Sequence, residues 1–483
     1  MGKEERRAGI LNKRLTRREL LKGAGGAGLA LGLGALAGCA PPAPAPAPAP
    51  PPAAPAEVGP TVIKVYVNAN FFIEPDAFTE AQVWTVHVPE FNKARKDIQI
   101  IVEPVSRDEY TPKVLMMAAS GDIGDVLWGT GSIPMWAKND VLLPLDDLIA
   151  EDNFDLSVYD PTALKILQFD PTTNKWYVGP LWGLPNTFNA GVQMLYWNAD
   201  IFKAAGVELP TEDTTYDDIL EMAKRLTQDI DGDGTPDVWG FLPSPYHAHG
   251  IFWDGSMIAP FGGEIFNFEG TEARINSPES VAAFQWLYDL ERKYQVAPPK
   301  DVVSALGGYK EMHMKSKLAL YRNGPWGGMH FRLIPPEGEE GHVEAGGVPT
   351  PVGPSGSRGT FASCEWWGIA KASKHPKEAF EALKWITDYD SNKYRALGTL
   401  VPPAYLAVRE DPEVLADPLL TVNIKAVEYA ELPYHAANGR DSEINTLLGQ
   451  ELSGLDTGEQ EPTQAFFDQL AAKIQDILDQ PPA

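Results

Sequence analysis

Thr61-Val62-Ile63-Lys64-Val65-Tyr66-Val67-Asn68 is a β-branched run and reads as a strand. Ile98 to Val105 reads as a second strand, and Asp125-Val126-Leu127-Trp128 as a third, short one. A helical stretch ending near Phe91-Asn92-Lys93-Ala94 separates the first two. Tyr110 to Ala119 reads as another helix, stopped by Gly121. Strands that alternate with helices belong to the α/β class, with largely parallel sheets. The pattern continues downstream. Thr215 and Asp218 form a capping box, and Ile219, Met222, Ala223 and Leu226 fall on one face of the helix that follows. Ser277-Pro278 and His375-Pro376 each open a helix, with Pro at its first position. A last helix brings Phe467, Leu470, Ile474 and Ile477 together. Pro335 to Arg358 reads as an irregular connection.

The chain has 483 residues, 44% hydrophobic and 22% charged, the composition of a globular protein. It is too long for one simple core, so two lobes are expected. With 40 Lys+Arg against 66 Asp+Glu, the formal charge is −26. Nucleic acid is excluded as a partner, because phosphate contacts need clustered basic residues. Two cysteines rule out a disulfide scaffold and a Cys-rich zinc site. No Gly-x-Ser-x-Gly elbow, P-loop or dinucleotide fingerprint is present.

The first 38 residues carry a net charge of about +5 and leave about −31 for the rest. A basic stretch with Arg17-Arg18 precedes a short apolar run, Gly23 to Ala37, of secretory-signal form. The paired arginines resemble a twin-arginine export signal; a general secretory signal is the other reading. Leu36-Ala37-Gly38-Cys39 resembles a bacterial lipobox, which implies cleavage before Cys39 and lipidation of its thiol. Ala40 to Ala56 contains only Ala and Pro and favours extended polyproline II. At about 3.1 Å per residue it reaches roughly 50 Å, a tether through residue 60. The body is thus expected outside the cell, anchored by lipid to the outer face of the cytoplasmic membrane. Cys364 is left as a buried small hydrophobe.

Several ordered segments resemble extracellular solute-binding proteins, family 1, the maltose-binding-protein-like subunits of ATP-binding-cassette (ABC) importers. Ala118-Ala119-Ser120-Gly121-Asp122-Ile123-Gly124-Asp125-Val126 is similar to the family's Ala-x-Gly helix end and Pro-Asp-Val, with Gly124 in place of Pro. Leu143-Pro144-Leu145-Asp146 resembles its Pro-Leu-Asp segment. Gly183-Leu184-Pro185 and Leu195-Tyr196-Trp197-Asn198-Ala199-Asp200-Ile201-Phe202-Lys203-Ala204-Ala205-Gly206 form the most specific match, with Trp197 inserted between Tyr and Asn. Asn323-Gly324-Pro325-Trp326 resembles a further segment. The likeness spans roughly residues 61–480. It implies a two-lobed periplasmic-binding-protein fold of type II. Residues 61–185 and about 361–400 would form lobe 1, and 186–360 with about 401–480 lobe 2. The chain would cross between them near Pro185, Phe361 and Leu400. A monomer is implied, with permease subunits as its partners and no catalysis.

A pyranose packs its C–H face on an indole, and its hydroxyls need polar partners. Trp326, after Gly-Pro, matches the family's stacking tryptophan. Trp253 and Asp254 lie where the family often places an aromatic and a polar partner. Trp366 and Trp367 point to opposite faces of a strand; Trp366, with Glu365, is the one expected in the cleft. Asp125 and Trp128 are read at a strand end, where α/β sheets bind ligands. Asn68 and Asn70 follow the first strand, and Asn186 lies beside the first crossing. Arg358 would clamp a hydroxyl or carboxylate. For each, the alternative is core packing or a solvated loop. Trp197 and Trp239 read as structural, and His247 and His249 as exposed loop residues.

Asp229, Asp231, Asp233, Thr235 and Asp237 supply oxygens at positions 1, 3, 5, 7 and 9 of a loop, with Gly234 at position 6. This suits a structural Ca2+, although Gly240 stands where an EF-hand has its bidentate Glu; a Gly/Asp-rich turn is the alternative. No other cofactor is expected. Against a carbohydrate stand two readings: a polyamine or peptide ligand, suited to the acidic charge, and a secreted glycoside hydrolase using paired carboxylates.

Overall fold

A computed structural model describes residues 59–69, 80–129, 133–189, 191, 194–243 and 248–482. The export signal, Cys39, the tether, Asn70 and His247 lie outside these. The strands among the described residues are β1 (Thr61–Asn68), β2 (Ile98–Val105), β3 (Val126–Gly129), β4 (Leu142–Leu143), β5 (Gln168–Asp170), β6 (Lys175–Leu181), β7 (Leu184–Pro185), β8 (Met194–Asn198), β9 (Trp239–Leu242), β10 (Leu318–Asn323), β11 (Ala345–Pro349) and β12 (Trp366–Ala370). Seven helices matter below: α1 (Arg107–Ser120), α2 (Tyr216–Leu226), α3 (Ile251–Ile258), α4 (Pro278–Arg292), α5 (Pro376–Ile386), α6 (Asp441–Thr457) and α7 (Gln464–Leu478). No helix of the described residues is long and apolar enough to cross a membrane.

The first sheet runs β2-β1-β3-β12-β4, with β7 also paired to β12. β1 is parallel to both β2 and β3, with Val65 opposite Val102 and Val126. Its β-branched residues Ile63, Val65 and Val67 are fully buried. Helices cover the sheet, α1 ending at Gly121 with φ of 72° as its Gly stop requires. α5 buries Phe380, Leu383 and Ile386 in the same core.

The second sheet runs β11-β8-β10-β9. β8 ends at Asn198, whose side chain accepts from the Asp200 and Ile201 N–H groups and so caps the next helix, which Gly206 closes at φ 62°. The Thr215/Asp218 capping box forms, and α2 buries Ile219, Ala223 and Leu226. Gly240 of β9 has a packing reason to be Gly: a Cβ there would stand 2.2 Å from the Ala223 carbonyl oxygen. A second apolar group in this lobe joins α3, α4, α6 and α7, with Phe284 stacked on Phe467 at 4.8 Å.

The two-lobed α/β class stands, but the sheets are mixed rather than mostly parallel. β12 is antiparallel to β3, β4 and β7, and β8 is antiparallel to β10 and β11. The cause is the crossing chain. A strand that enters a lobe from the other lobe starts at the junction, where β1, β3, β9 and β10 end, and so must run against them. The crossing segments lie side by side. Asn189 pairs with Ser363, Thr187 with Pro403, and Phe361 with Glu431.

Two histidines are sealed in the second lobe. His330 Nε2 lies 3.2 Å from His313 Nδ1, and His313 Nε2 lies 3.3 Å from the Trp197 carbonyl. The carbonyl only accepts, so His313 carries its proton on Nε2 and receives one from His330. Burial pushes His313 down to about 4 and His330 to about 3, the latter helped by the nearness of His313 and Lys310, which disfavours a second charge. His249 is the reverse case. It is not an exposed loop residue: Nδ1 lies 2.9 Å from Asp254 and Nε2 3.3 Å from Asp456. Burial alone would lower it, but the two carboxylates hold it up at about 10. Unfolded histidines titrate near 6.5. Below that pH the unfolded chain outbinds the His313–His330 pair for protons, so this pair makes stability fall as the pH drops from about 6.5 toward 4. The His249 contribution is full below about 6.5 and is lost as pH rises toward 10. Thermal unfolding across this range should show both limbs. His330→Phe should flatten the acid limb and His249→Gln the alkaline one; an acid limb unchanged in His330→Phe would contradict the assignment.

Candidate ligand-binding cleft

In open α/β sheets ligands sit outside the carboxyl ends of parallel strands. Here β1 and β3 end at Asn68 and Gly129, and β9 and β10 end at Leu242 and Asn323. Asn68 and Asn323 are both fully buried. The segments following β1, β3 and β9, at 70–79, 130–132 and 244–247, are outside the described residues, and Asn70 falls among them.

The second lobe supplies aromatic rings at this end. β10 leads through Gly324-Pro325 into Trp326, which is half-buried. The indole lies directly over Gly324, where a Cβ would meet it at 2.4 Å, so Gly is required for the turn to close beneath the ring. α3 presents Phe252 and Trp253, both half-buried and edge-to-face at 5.2 Å. The tip of Phe252 reaches Gly191 of the first crossing segment. Sequence reasoning missed Phe252; its place beside Trp253 was the available signal. Asp254 is not free to meet a ligand. Its carboxylate accepts from the Gly250 N–H at 2.7 Å and pairs with His249, so it caps the start of α3.

Several first-lobe candidates are placed otherwise than expected. Asp125 precedes β3, at the amino end of the strand and so away from the carboxyl edge. Its oxygens accept from the Lys64 N–H at 2.9 Å and the Ser373 hydroxyl at 2.6 Å. Trp128 is buried edge-to-face on Tyr110 at 5.3 Å, with the Arg107 guanidinium 5.9 Å from its ring. Trp366 and Trp367 do face opposite sides, yet both are 1% exposed, so neither is a cleft residue by exposure. Trp366 packs on Trp136 at 5.6 Å and over Gly129 and Gly183; Trp367 packs on Trp84 at 5.1 Å. Helices cover both faces of the sheet, which removes the inside–outside distinction that alternation would otherwise give.

Glu365 forms an ion pair with Arg395, itself buried. Its carbonyl accepts from the Asn186 N–H at 2.9 Å, and the Asn186 amide donates to the Ile386 carbonyl at 3.4 Å. Both residues therefore hold the junction. Arg358 is also committed: its guanidinium donates to the carbonyls of Thr350 and Glu212 and lies 4.5 Å from the Tyr429 ring centre. Cys364 is a buried free thiol, pushed up by burial.

The lobes also touch through the β5–β6 hairpin. Trp176 stacks on His435 at 3.7 Å, the Tyr177 hydroxyl donates to the Pro433 carbonyl, and the Asn174 amide donates to the Ala437 carbonyl at 2.5 Å. Tyr177 holds φ at 67°, a strained value for a bulky residue. None of this was legible beforehand, because hairpin and partner are some 260 residues apart.

In the acidic loop, oxygens of Asp229, Asp231 and Asp237 lie within 4.8 Å of one another. Asp233 is not among them; its carboxylate accepts from the Thr235 N–H at 2.7 Å. Asp229 accepts from the Gly232 and Gly234 N–H groups.

Comparison with known proteins bears on this architecture. The family described as bacterial extracellular solute-binding protein matches residues 88–422. A probable ABC transporter-binding protein of Deinococcus radiodurans is 26% identical over 280 residues, 57% of this chain and 63% of that protein. The sn-glycerol-3-phosphate-binding periplasmic protein UgpB of Escherichia coli is 29% identical over 146 residues, 28% of this chain and 32% of that protein. The chain thus aligns with less than two thirds of the length of these relatives. Among solved structures, the ABC substrate-binding protein Lmo0181 from Listeria monocytogenes, in complex with cycloalternan, superposes with a TM-score of 0.70 at 22% identity, covering 87% of this chain and 99% of that one. The maltose/maltodextrin-binding domain MalE from Bdellovibrio bacteriovorus, bound to maltotriose, gives 0.66 at 19%, covering 87% and 100%. With its two lobes joined by paired crossing segments, and a family match over well more than half its length, this chain belongs to the bacterial extracellular solute-binding protein family.

Proposed function

We propose that the chain captures a carbohydrate between its lobes and delivers it to the permease subunits of an ABC importer, working as a monomer and without covalent chemistry. The observation that carries this reading is Trp326, half-buried on the Gly-Pro turn at the carboxyl end of β10, with the half-buried pair Phe252 and Trp253 on α3, the helix whose Ser256 carbonyl accepts from Arg322 of the same strand. Indole faces held by a Gly-Pro turn suit the C–H face of a pyranose. The fold's likeness to two structures solved with oligosaccharides supports the same class. Closure would bring the first lobe over the bound sugar by hinge motion at the crossing segments.

The test is a thermal-shift panel of mono- and oligosaccharides, polyols, sn-glycerol 3-phosphate, polyamines and short peptides, followed by calorimetry on the best ligand. A ligand at 100 times its Kd stabilises by about 2.7 kcal/mol. A sugar should shift the transition, and Trp326→Ala should weaken its affinity about 10- to 100-fold, as expected for losing roughly 1.5–3 kcal/mol of aromatic contact. A shift with a polyamine, peptide or phosphorylated polyol alone would reject the carbohydrate.

Export and lipidation at Cys39 are part of the same proposal, since a receptor must stay near its permease. Cys39→Ala should move the protein from the membrane fraction to the soluble one; retention on membranes would refute the anchor.

The loop carboxylates Asp229, Asp231 and Asp237 would hold a structural Ca2+, which offsets their mutual repulsion. A chelator should lower Tm and added calcium restore it, and Asp229→Asn should abolish that response. A Tm indifferent to both reagents would dismiss the ion.

A further inference from the structure

Arg322 lies in β10 and is 0% exposed. Among the described residues no carboxylate reaches it. Its charge is met by fixed dipoles: Nε donates to the Thr350 hydroxyl at 2.7 Å, one terminal nitrogen to the Ser256 carbonyl at 2.7 Å, and the other lies 2.8 Å from the Met257 sulfur. The Ser256 carbonyl belongs to the last turn of α3, the negative end of the helix dipole. Burial draws the guanidinium below its ordinary pKa, opposed only by the Tyr216 hydroxyl. A buried cation without an acid is costly, and an apolar side chain of similar size would fill the space with less penalty. Such a group is informative about what it joins.

It joins the two elements that carry the cleft aromatics. α3 bears Trp253 one turn before Ser256, and β10 runs into Trp326 four residues after Arg322. Apart from this contact α3 packs mainly on α4 and α6. The start of α3 is fixed separately by Asp254 and by Asn445, whose Oδ1 accepts from the Ile251 N–H at 2.8 Å. Thr350, the third partner, is braced in turn by Arg358 through its carbonyl.

We propose that Arg322 is a positioning residue for ligand capture, setting the Trp253 helix against the Trp326 turn by holding the end of α3 to β10. This rests on the reading of those tryptophans as ligand contacts. The planar fork meets Thr350, Met257 and Ser256 with three separate nitrogens, whereas a lysine's donors all radiate from one, so the charge alone does not suffice.

The experiment uses the purified protein with Arg322→Lys and Arg322→Met, each with and without Trp326→Ala. Calorimetric affinity for maltotriose, or for the best ligand of the panel, is the first readout. Both Arg322 variants should weaken binding tenfold or more, and the loss should shrink to under twofold in the Trp326→Ala background. The second readout needs no ligand. In protein labelled with 5-fluorotryptophan, the fluorine resonances of Trp253 and Trp326, assigned with Trp253→Phe and Trp326→Phe, should shift in Arg322→Lys. Wild-type affinity in the variants, an equal loss in both backgrounds, or unmoved resonances would each overturn the proposal. If Arg322→Met fails to fold, Arg322→Lys carries the test. Undiminished affinity in Trp326→Ala overturns the stacking reading instead, a failure that the fluorine spectra separate from failure of the brace.

Discussion

Backbone hydrogen bonds between the crossing segments are the constraint on which the molecule depends. Asn186 and Asn189 in the first passage pair with Glu365 and Ser363 in the second, and Phe188 donates to Pro402 in the third. Buried backbone groups must be satisfied, and here the partners of one passage are the other passages. The chain therefore cannot be cut into two independent lobes. The same constraint sets strand direction: β8 and β12 start at the junction and oppose their neighbours. It also commits polar side chains that would look like ligand contacts in isolation. Glu365 faces Arg395, and Asn186 faces the Ile386 carbonyl.

Charge in this protein is consumed mostly by structure. His249 bridges Asp254 and Asp456, so α3 and α6 are joined by one imidazolium between two carboxylates. Arg358 and Arg322 are spent on carbonyl and hydroxyl oxygens rather than on acids. The formal charge of −26 belongs to the whole chain, its basic first 38 residues included, and gives no direct account of the ligand. The aromatic candidates Trp326, Trp253 and Phe252 are by contrast only half-buried.

The tryptophans show how far composition can be read. Thirteen of them in one chain suggested stacking platforms. Trp136, Trp366 and Trp367 instead fill the first core at no more than 1% exposure, each ring packed on another aromatic or over a glycine. Trp326 differs because a Gly-Pro turn, not a strand, projects it. Turn chemistry was therefore a better guide to which indole stays accessible than residue type. Asp125 failed for a related reason. Its neighbours in sequence defined a strand that it opens, but only the parallel pairing with β1 showed that this amino end lies away from the edge where the strands finish.

Sequence by itself determined the α/β class, the capping box at Thr215 and Asp218, the stop at Gly121 and the order of segments that identifies the family. All of these rest on residues a few positions apart, where backbone geometry and hydrogen-bond chemistry are local. It also marked the Gly324-Pro325-Trp326 turn. Tertiary structure alone decided the mixed sheets, the burial of Trp366, the capture of Asp254 by His249, the Trp176–His435 contact between lobes and the bridge from Arg322 to α3. Each of those joins residues distant in the chain, and a side chain's freedom to meet a ligand depends on whether such a partner has already taken it.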